Sequence, residues 1–225
     1  MKNLAIIPAR GGSKRIPRKN IKDFLGKPII SYSIKAALNS KLFEEVMVST
    51  DDEEIATVAA QYGANIPFMR SKKTAGDFAT LSNVIEEVVD RYSHENHQFD
   101  AVCLILPTAP FVTSDLLKET YNILFQRKAL YVHPIVKFSF PVQRGLRLSE
   151  NGKICFTNPE FRRERSQDLE PIYHDAGMFY WVRPDTIFKT DERYGVEISE
   201  ALCQDIDTKV DWALAEAKYR LFMNE

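Results

Sequence analysis

Short apolar runs alternate with amphipathic segments through the first 136 residues, and this alternation limits the possible folds more than any other feature of the sequence. The runs at 4–8, 46–49, 101–106 and 131–136 have the length of strands and are too short for helices. The segments between them place apolar residues at helical spacing. Strands that alternate with helices are typical of a parallel sheet covered on both faces. The sequence therefore predicts an α/β fold with a doubly wound, mostly parallel sheet.

Weaker signals predict four further elements. A short strand is predicted at 66–69 from its apolar residues. Pro28 is predicted at the first position of a helix, where its missing N–H is tolerated. Strand character returns at 177–182, and a final helix is predicted from about 209 to 223.

The strand–helix alternation stops near Lys137. Residues 137–172 are irregular and rich in Arg, Pro and Gly, with a hairpin predicted around the turn Glu150-Asn151-Gly152. An excursion of this length within a compact domain is more often functional or interfacial than idle. The predicted organisation is a single domain, 1–225, with an inserted arm at about 137–172.

Composition narrows the classes of function. The 225 residues carry a net charge of -1, so a general nucleic-acid-binding surface is not expected. No apolar run is long enough to span a bilayer and no signal peptide is recognised, so no membrane association is expected. Cys103, Cys155 and Cys203 are odd in number and widely spaced, without a disulfide framework or zinc-binding spacing. That pattern predicts a reducing, cytoplasmic location.

A glycine pair and a dense set of cations follow the first predicted strand. Gly11 and Gly12 leave backbone N–H groups open to an anion. Five cations lie within ten positions: Arg10, Lys14, Arg15, Arg18 and Lys19. Since ligands of open α/β sheets bind at the carboxyl ends of strands, the loop is interpreted as a cradle for a triphosphate. Because neither the Walker A pattern nor GxGxxG is present, a solvated basic turn or a nucleic-acid patch remains the alternative.

Two carboxylates flank an apolar residue before the last predicted helix. In an extended segment, Asp205 and Asp207 would lie on one side and Ile206 in the core. Mg²⁺ suits such a pair, because it takes one or two carboxylates together with phosphate oxygens and water. The alternative is that Asp207 caps the last helix. Asp51 and Asp52 pose the same choice, and there a helix cap is favoured.

Three other features each allow two interpretations. Arg70, after the predicted strand at 66–69, either lies on the surface or contacts a base or phosphate. Arg162, Arg163 and Arg165 either form a solvated face or bind a substrate carboxylate. His174 is either a general acid or base, or a histidine hydrogen-bonded beside a strand.

Several motifs, taken together, resemble one enzyme family. They are Ala9-Arg10-Gly11-Gly12-Ser13-Lys14 with Lys19-Asn20, Ser49-Thr50-Asp51, Arg70, Pro107-Thr108-Ala109-Pro110 and Asp205-Ile206-Asp207-Thr208. In this order they resemble the acylneuraminate cytidylyltransferases, or CMP-sialic acid synthetases, over essentially the whole chain. The resemblance implies a Rossmann-like fold of the nucleotide-diphospho-sugar transferase type. It also implies a Mg²⁺-dependent enzyme that converts CTP and a nonulosonic acid, a nine-carbon 2-keto sugar acid, into the CMP-sugar and pyrophosphate.

The chain departs from the sialic acid enzymes at positions expected to face the sugar. Leu106 and Val112 stand where those enzymes usually have Gln and Arg, and His174-Asp175-Ala176-Gly177 replaces Arg-Pro-Asn-Gly. These changes imply a different sugar acid. With Ser139-Phe140-Pro141 and the Arg-rich segment, they are similar to the branch of the family that activates pseudaminic acid for bacterial surface glycans and flagellin. N-acetylneuraminate and legionaminate remain the alternatives, and a non-catalytic nucleotide-sugar-binding module is the alternative from another class.

The resemblance implies a role for each candidate residue. Catalytic roles fall to Arg10, Lys14, Lys19 and Asp207. The nucleotide is bound by Ala9, Arg10, Gly11, Gly12, Ser13, Lys14, Lys19, Asn20, Arg70, Thr80, Pro107 and Thr108. The sugar is bound by Arg162, Arg163, Arg165, His174 and Asp175, and Mg²⁺ by Asp205 and Asp207. The inserted arm is expected to form a homodimer and to reach the neighbour's site.

Overall fold

A computed structural model describes residues 1–186 and 192–223. The strands, in chain order, are β1 (Asn3–Pro8), β2 (Asp23–Phe24), β3 (Lys27–Pro28), β4 (Glu45–Ser49), β5 (Ala101–Ile105), β6 (Tyr131–Lys137), β7 (Leu146–Leu148), β8 (Ile154–Phe156), β9 (Tyr173–Asp175), β10 (Phe179–Val182) and β11 (Arg193–Ile198). The α-helices are α1 (Ile30–Ser40), α2 (Glu53–Gln61), α3 (Lys72–Ala75), α4 (Leu81–His94), α5 (Ser114–Gln126) and α6 (Lys209–Phe222). Short 3-10 helices lie at Lys19–Ile21, Val142–Arg144, Pro159–Arg163, Ser166–Asp168 and Glu200–Leu202.

The central sheet has seven strands in the order β11-β6-β10-β5-β1-β4, with β9 paired to the end of β6. Strand β1 runs parallel to both β4 and β5, and β11 runs parallel to β6. Strand β10 lies antiparallel between β5 and β6, and β9 is antiparallel to β6. Five strands therefore share one direction and two oppose it, which confirms the mostly parallel sheet.

Helices cover both faces of the sheet and explain why its strands read as continuous apolar runs. All residues of β1 and β5 are buried. On one face, side chains from α1, α2, α5 and α6 join the core, among them Ile34, Ile55, Leu117 and Trp212. On the other face, Val84, Ile85 and Val88 of α4 pack against the strands. The predicted doubly wound α/β architecture is confirmed.

Two local predictions are wrong, one because of a proline and the other because of a tight turn. Residues 66–69 form no strand; only Asn65 bridges to Met47, because Pro67 has no N–H to donate to a ladder. Pro28 does not start α1. It lies in the ribbon formed by β2 and β3, whose turn at Leu25 and Gly26 has φ of 52° and 86°. That turn favours a tight hairpin before the helix.

The segment 138–172 leaves the core between β6 and β9. Its two ends meet where the Phe138 N–H donates to the Ile172 carbonyl at 2.9 Å. The predicted hairpin is present as β7 and β8, with Gly152 at φ 82° in its turn. Every residue of this segment is described and none is buried. Its role as a dimerisation arm stays a prediction.

Within the described residues, no helix combines the length and the apolar character required to cross a bilayer.

Candidate active site

A cleft of about 430 Å³ opens at the carboxyl ends of β1 and β5, where ligands of open α/β sheets bind. Its walls come from the loop after β1, the turn after β5 and the segment before α6. The lining residues are Pro8, Arg10, Ser13, Lys14, Arg15, Ile16, Lys19, Asn20, Leu106, Pro107, Thr108, Asp205 and Asp207. Most of the predicted nucleotide-binding and metal-binding residues therefore meet in one place.

Four of the five loop cations line this cleft, and each meets an oxygen acceptor. Arg10 Nη1 donates to Asp77 Oδ1 at 2.8 Å, and Lys14 Nζ donates to Asp77 Oδ2 at 2.6 Å. Lys19 Nζ donates to the Ile206 carbonyl at 2.6 Å and lies 3.6 Å from Asp207 Oδ1. Arg15 Nη2 donates to Asp207 Oδ1 at 2.8 Å. Strong donors for anionic oxygen are thus gathered along the mouth of the cleft.

The fifth cation, Arg18, braces the loop instead of lining the cleft. Its backbone has φ 56°, and its guanidinium donates to both carboxylate oxygens of Asp52 at 2.5 and 2.9 Å and to Glu54. Asp52 also caps α2 by accepting from the Ile55 N–H, as the sequence predicts. Hydrogen bonding from Arg18 lowers the pKa of Asp52 to about 2. The pair ties the cationic loop to the start of α2.

The glycine at position 11 is required by close packing against this brace. A Cβ on Gly11 would lie 2.6 Å from Asp52 Oδ2. The Gly11 N–H also donates to Asp51 Oδ1 at 3.0 Å. Any larger residue would therefore push the loop away from α2.

The acidic pair is arranged as the alternation predicts. Ile206 is 1% exposed, while Asp205 and Asp207 both line the cleft. The alternative that Asp207 caps α6 is wrong. The Thr208 hydroxyl caps α6 by accepting from the Asp211 N–H at 3.2 Å, and Asp211 completes the capping box.

The carboxylates of the segment before α6 suit a hard divalent cation. No cluster of three or more His, Cys, Asp or Glu side chains occurs among residues 1–186 and 192–223. Two carboxylates, Asp205 and Asp207, face one cleft on either side of a buried anchor. Mg²⁺ commonly uses one or two carboxylates and completes its shell with phosphate oxygens and water.

Arg70 is buried, does not line the cleft and is held by the end of β4. Its Nε donates to Ser49 Oγ at 3.0 Å and its Nη2 to the Ser49 carbonyl at 2.5 Å. Burial lowers its pKa to about 10, and the charge of Asp51 opposes that shift. The surface alternative for Arg70 is therefore wrong. Asn20 stabilises the cationic loop by donating from its side-chain amide to the Arg10 carbonyl at 3.0 Å.

Some predicted nucleotide-binding residues do not line the cleft. Ala9 is buried, and its N–H donates to the Ser49 carbonyl at 2.9 Å. Gly11 and Gly12 shape the loop. The Thr80 hydroxyl caps α4 by accepting from the Asn83 N–H at 3.2 Å.

The predicted sugar-binding residues also lie outside the cleft of the single chain. Arg162 and Arg163 are exposed on a 3-10 helix of the arm, and Arg165 pairs with Asp168 at 2.7 Å. His174 is exposed, with its ring centroid 4.8 Å from that of Phe138. Asp175 accepts from the Gly177 N–H at 2.7 Å.

Sequence reasoning missed Asp77, which lies in the loop between α3 and α4. Hydrogen bonds from Lys14 and Arg10 lower its pKa. No spacing or periodicity marks an acidic residue in such a loop. The only available signal was the negative charge of Asp77, which is opposite to that of the cations after β1.

Comparison with known proteins decides the family. A family model described as Cytidylyltransferase matches residues 4–225. The chain belongs to the cytidylyltransferase family. Its fold also matches a solved structure of CMP:2-keto-3-deoxy-manno-octonic acid synthetase complexed with CTP, with a TM-score of 0.72 at 16% identity over 98% of this chain and 99% of that one.

Relatives of this cytidylyltransferase act on related sugar acids. This chain is 44% identical to a pseudaminic acid cytidylyltransferase from Campylobacter jejuni over 98% of its own length and 97% of the relative. It is 35% identical to a CMP-N,N'-diacetyllegionaminic acid synthase from Legionella pneumophila over 96% of this chain and 95% of the relative. An N-acylneuraminate cytidylyltransferase A from Danio rerio is 32% identical over 97% of this chain and 51% of the relative. The resemblance inferred from the motifs is confirmed.

Proposed function

We propose that this cytidylyltransferase transfers CMP from CTP to a nonulosonic acid, pseudaminic acid, and releases pyrophosphate. The observation that carries the proposal is one cleft in which Arg10, Lys14 and Lys19 lie opposite Asp205 and Asp207. The 44% identity to a pseudaminic acid cytidylyltransferase over nearly the full length of both chains supports the choice of sugar.

The loop cations would bind the triphosphate and stabilise the charge that develops during transfer. The anomeric hydroxyl attacks the α-phosphorus. The bond between that phosphorus and the oxygen that bridges it to the β-phosphorus breaks, and pyrophosphate leaves. Such a transfer depends on alignment and on charge stabilisation, without a covalent intermediate on the protein. Arg10 and Lys14 already converge on one carboxylate, Asp77, at 2.8 and 2.6 Å. Asp77 would hold both cations in place, and phosphate oxygens would accept from their remaining N–H donors.

The opposite wall would hold Mg²⁺ through Asp205 and Asp207. When bound, the ion would neutralise charge on the phosphate oxygens and favour the ionised form of the attacking hydroxyl. Buried Ile206 fixes the two carboxylates on the cleft side. Lys19 contacts the backbone of this wall at the Ile206 carbonyl, 2.6 Å away, and so links the two walls.

The nucleoside would bind beside the turn after β5. Pro107 and Thr108 line the cleft there, and Asn20 lines it from the cationic loop. Arg70 and Thr80 do not line the cleft of the free chain. They are proposed to contact the ribose or base once the nucleotide is bound.

The binding site for the sugar acid would be completed by a second copy of the chain. Arg162, Arg163 and Arg165 are exposed and do not line the cleft of their own chain. We therefore propose a homodimer in which an arm arginine binds the sugar carboxylate of the neighbouring site. His174 and Asp175 would contact the sugar, and Leu106 contributes an apolar contact in place of a polar one.

The biological setting stays a prediction from the sequence. The CMP-sugar would serve bacterial surface glycan or flagellin glycosylation, and the reaction would take place in the cytoplasm.

A panel of sugar acids tests the proposal. Pseudaminic, legionaminic, N-acetylneuraminic and ketodeoxyoctonic acids are each incubated with CTP and Mg²⁺, and pyrophosphate release is measured. Pseudaminic acid should give the highest kcat/KM. A higher value for legionaminic acid would favour the second candidate, which the 35% identity to a legionaminic acid enzyme supports. CTP binding without pyrophosphate release from any of the four acids would favour a non-catalytic nucleotide-sugar-binding module.

A further inference from the structure

We propose that Glu87 on α4 is a positioning residue for CTP, because its carboxylate anchors the segment from Phe68 to Thr80 that carries Arg70 and Asp77. The inference rests on the proposed function of the cleft as a CTP site. Glu87 itself does not line that cleft. It would act on the nucleotide only through the segment that it holds.

The Glu87 carboxylate collects several donors from the start of the segment. The Ser71 N–H donates to Oε1 at 2.9 Å and the Ser71 hydroxyl donates to Oε2 at 2.8 Å. The Thr74 hydroxyl also donates to Oε2. Burial alone would raise the pKa of Glu87, but the hydrogen bonds from Thr74 and Ser71 and the charge of Arg91 lower it overall. A charged carboxylate therefore fixes the first turn after Arg70.

Arg91 extends this anchor to the other side of Arg70. It lies one helical turn after Glu87, and its Nη2 is 2.9 Å from Glu87 Oε1. Its Nη1 donates to the Met69 carbonyl at 3.1 Å, and its guanidinium lies 4.6 Å from the centroid of the Phe68 ring. Arg91 thus contacts the chain at 68–69 and Glu87 contacts it at 71–74. Arg70 lies between the two contacts.

The anchored segment contacts residues in or next to the candidate site at two places. The buried Arg70 side chain bonds to Ser49 at the carboxyl end of β4, and its N–H donates to the Thr50 carbonyl at 2.7 Å. After the single turn of α3, Asp77 reaches Arg10 and Lys14, the two cations proposed to bind phosphate. Release of the anchor would loosen both ends, so the free enzyme would sample fewer conformations competent to bind CTP.

The decisive experiment compares Glu87→Gln with the wild-type enzyme. Gln is close to isosteric but loses the charge that strengthens each hydrogen bond. The dissociation constant for CTP, measured by calorimetry without sugar acid, should rise about tenfold, as expected when charge-assisted hydrogen bonds weaken. KM for CTP should rise in parallel, while KM for the sugar acid and kcat at saturating CTP should stay within about twofold of wild type. Asp90→Asn removes an exposed carboxylate on the same helix and should change none of these values.

A second variant separates positioning from folding. Thr74→Val removes one donor to Glu87 and should weaken CTP binding about threefold in the same direction, even if Glu87→Gln fails to fold. The double variant should lose less affinity for CTP than the sum of the two single losses, because both substitutions act on the same hydrogen bond. Wild-type affinity for CTP in folded Glu87→Gln, or in Thr74→Val when Glu87→Gln does not fold, would overturn the inference. A fall in kcat with an unchanged KM for CTP would do the same. A wild-type enzyme that neither binds CTP nor releases pyrophosphate would overturn the proposed function, and this inference with it.

Discussion

At the scale of single residues, the cations after β1 divide into two groups with different work. Arg10, Lys14, Arg15 and Lys19 line the cleft, while Arg18 is committed to Asp52 and Glu54. A dense set of basic residues is visible in the sequence, but its division is not. Which cation turns inward depends on the positive φ of Arg18 and on partners 34 and 36 positions away.

Replacement of a cleft cation should affect turnover far more than stability. Arg10→Ala should lower kcat/KM for CTP by about 10² to 10³, because charge on the transferring phosphate loses a forked donor. Pyrophosphate release measures the loss. Arg220→Ala removes an exposed cation of α6 and should leave the rate unchanged. Retention of wild-type kcat and kcat/KM in Arg10→Ala would move this residue away from the triphosphate.

The ion pair between Arg18 and Asp52 should make the free energy of unfolding depend on pH. The folded pKa of Asp52, about 2, is below the ordinary value of 3.8, so its contribution is present above about pH 4 and is lost as the pH falls through 2. The shift corresponds to at most about 2 kcal/mol, and solvent screening of this partly exposed pair leaves about 1 kcal/mol. Asp52→Asn keeps the helix cap but loses the charge.

Urea unfolding measures that contribution. The difference in free energy of unfolding between wild type and Asp52→Asn should be about 1 kcal/mol at neutral pH and should shrink toward zero near pH 2. A difference that is independent of pH would show that the carboxylate charge is not what stabilises the loop.

At the scale of elements, the apolar runs were sufficient to predict five strands of the sheet but not the direction of each one. The run at 177–182 contains β10, which is antiparallel to both of its neighbours. Apolar pattern reports burial, and it carries no information on strand direction. Strand β11 was not predicted at all, because as an edge strand it has a single buried residue, Val196, and shows no apolar run. Long-range pairing decides such features, and local sequence does not encode it.

The arm is the element whose role the single chain explains least. Large apolar side chains of its hairpin face solvent, among them Leu146, Leu148 and Ile154. An apolar surface of this kind is typical of an interface. Its charged residues include the arginines proposed to bind the sugar acid, so dimer formation and activity should be lost together.

A matched pair of substitutions tests the arm. Leu148 and Leu221 are each 74% exposed, on the hairpin and on α6 respectively. Leu148→Asp should give a folded monomer with greatly reduced turnover, because a charge would be buried at the interface. Leu221→Asp should remain dimeric and active. Light scattering after gel filtration measures the mass, and a fully active monomer of Leu148→Asp would contradict the shared site.

At the scale of the whole molecule, the cleft joins parts of the chain that are nearly 200 residues apart. Lys19 meets the Ile206 carbonyl and Arg15 meets Asp207, so the first loop and the last segment form facing walls. The sequence predicted both walls from their residue types and from the rule that ligands bind at the carboxyl edge of the sheet. It did not predict that Asp77 would accept hydrogen bonds from two cations of the first wall, since those contacts depend on how the segment after Arg70 folds.

Turnover of Asp207→Asn in Mg²⁺ tests directly whether the two walls act on one triphosphate. Asn keeps the size of the side chain, and Thr208 and Asp211 retain the cap of α6 without it. We expect Asp207→Asn to fold and to release pyrophosphate about 10² times more slowly or worse, because an anionic ligand is missing opposite the cations. Near-normal pyrophosphate release by folded Asp207→Asn would contradict the account.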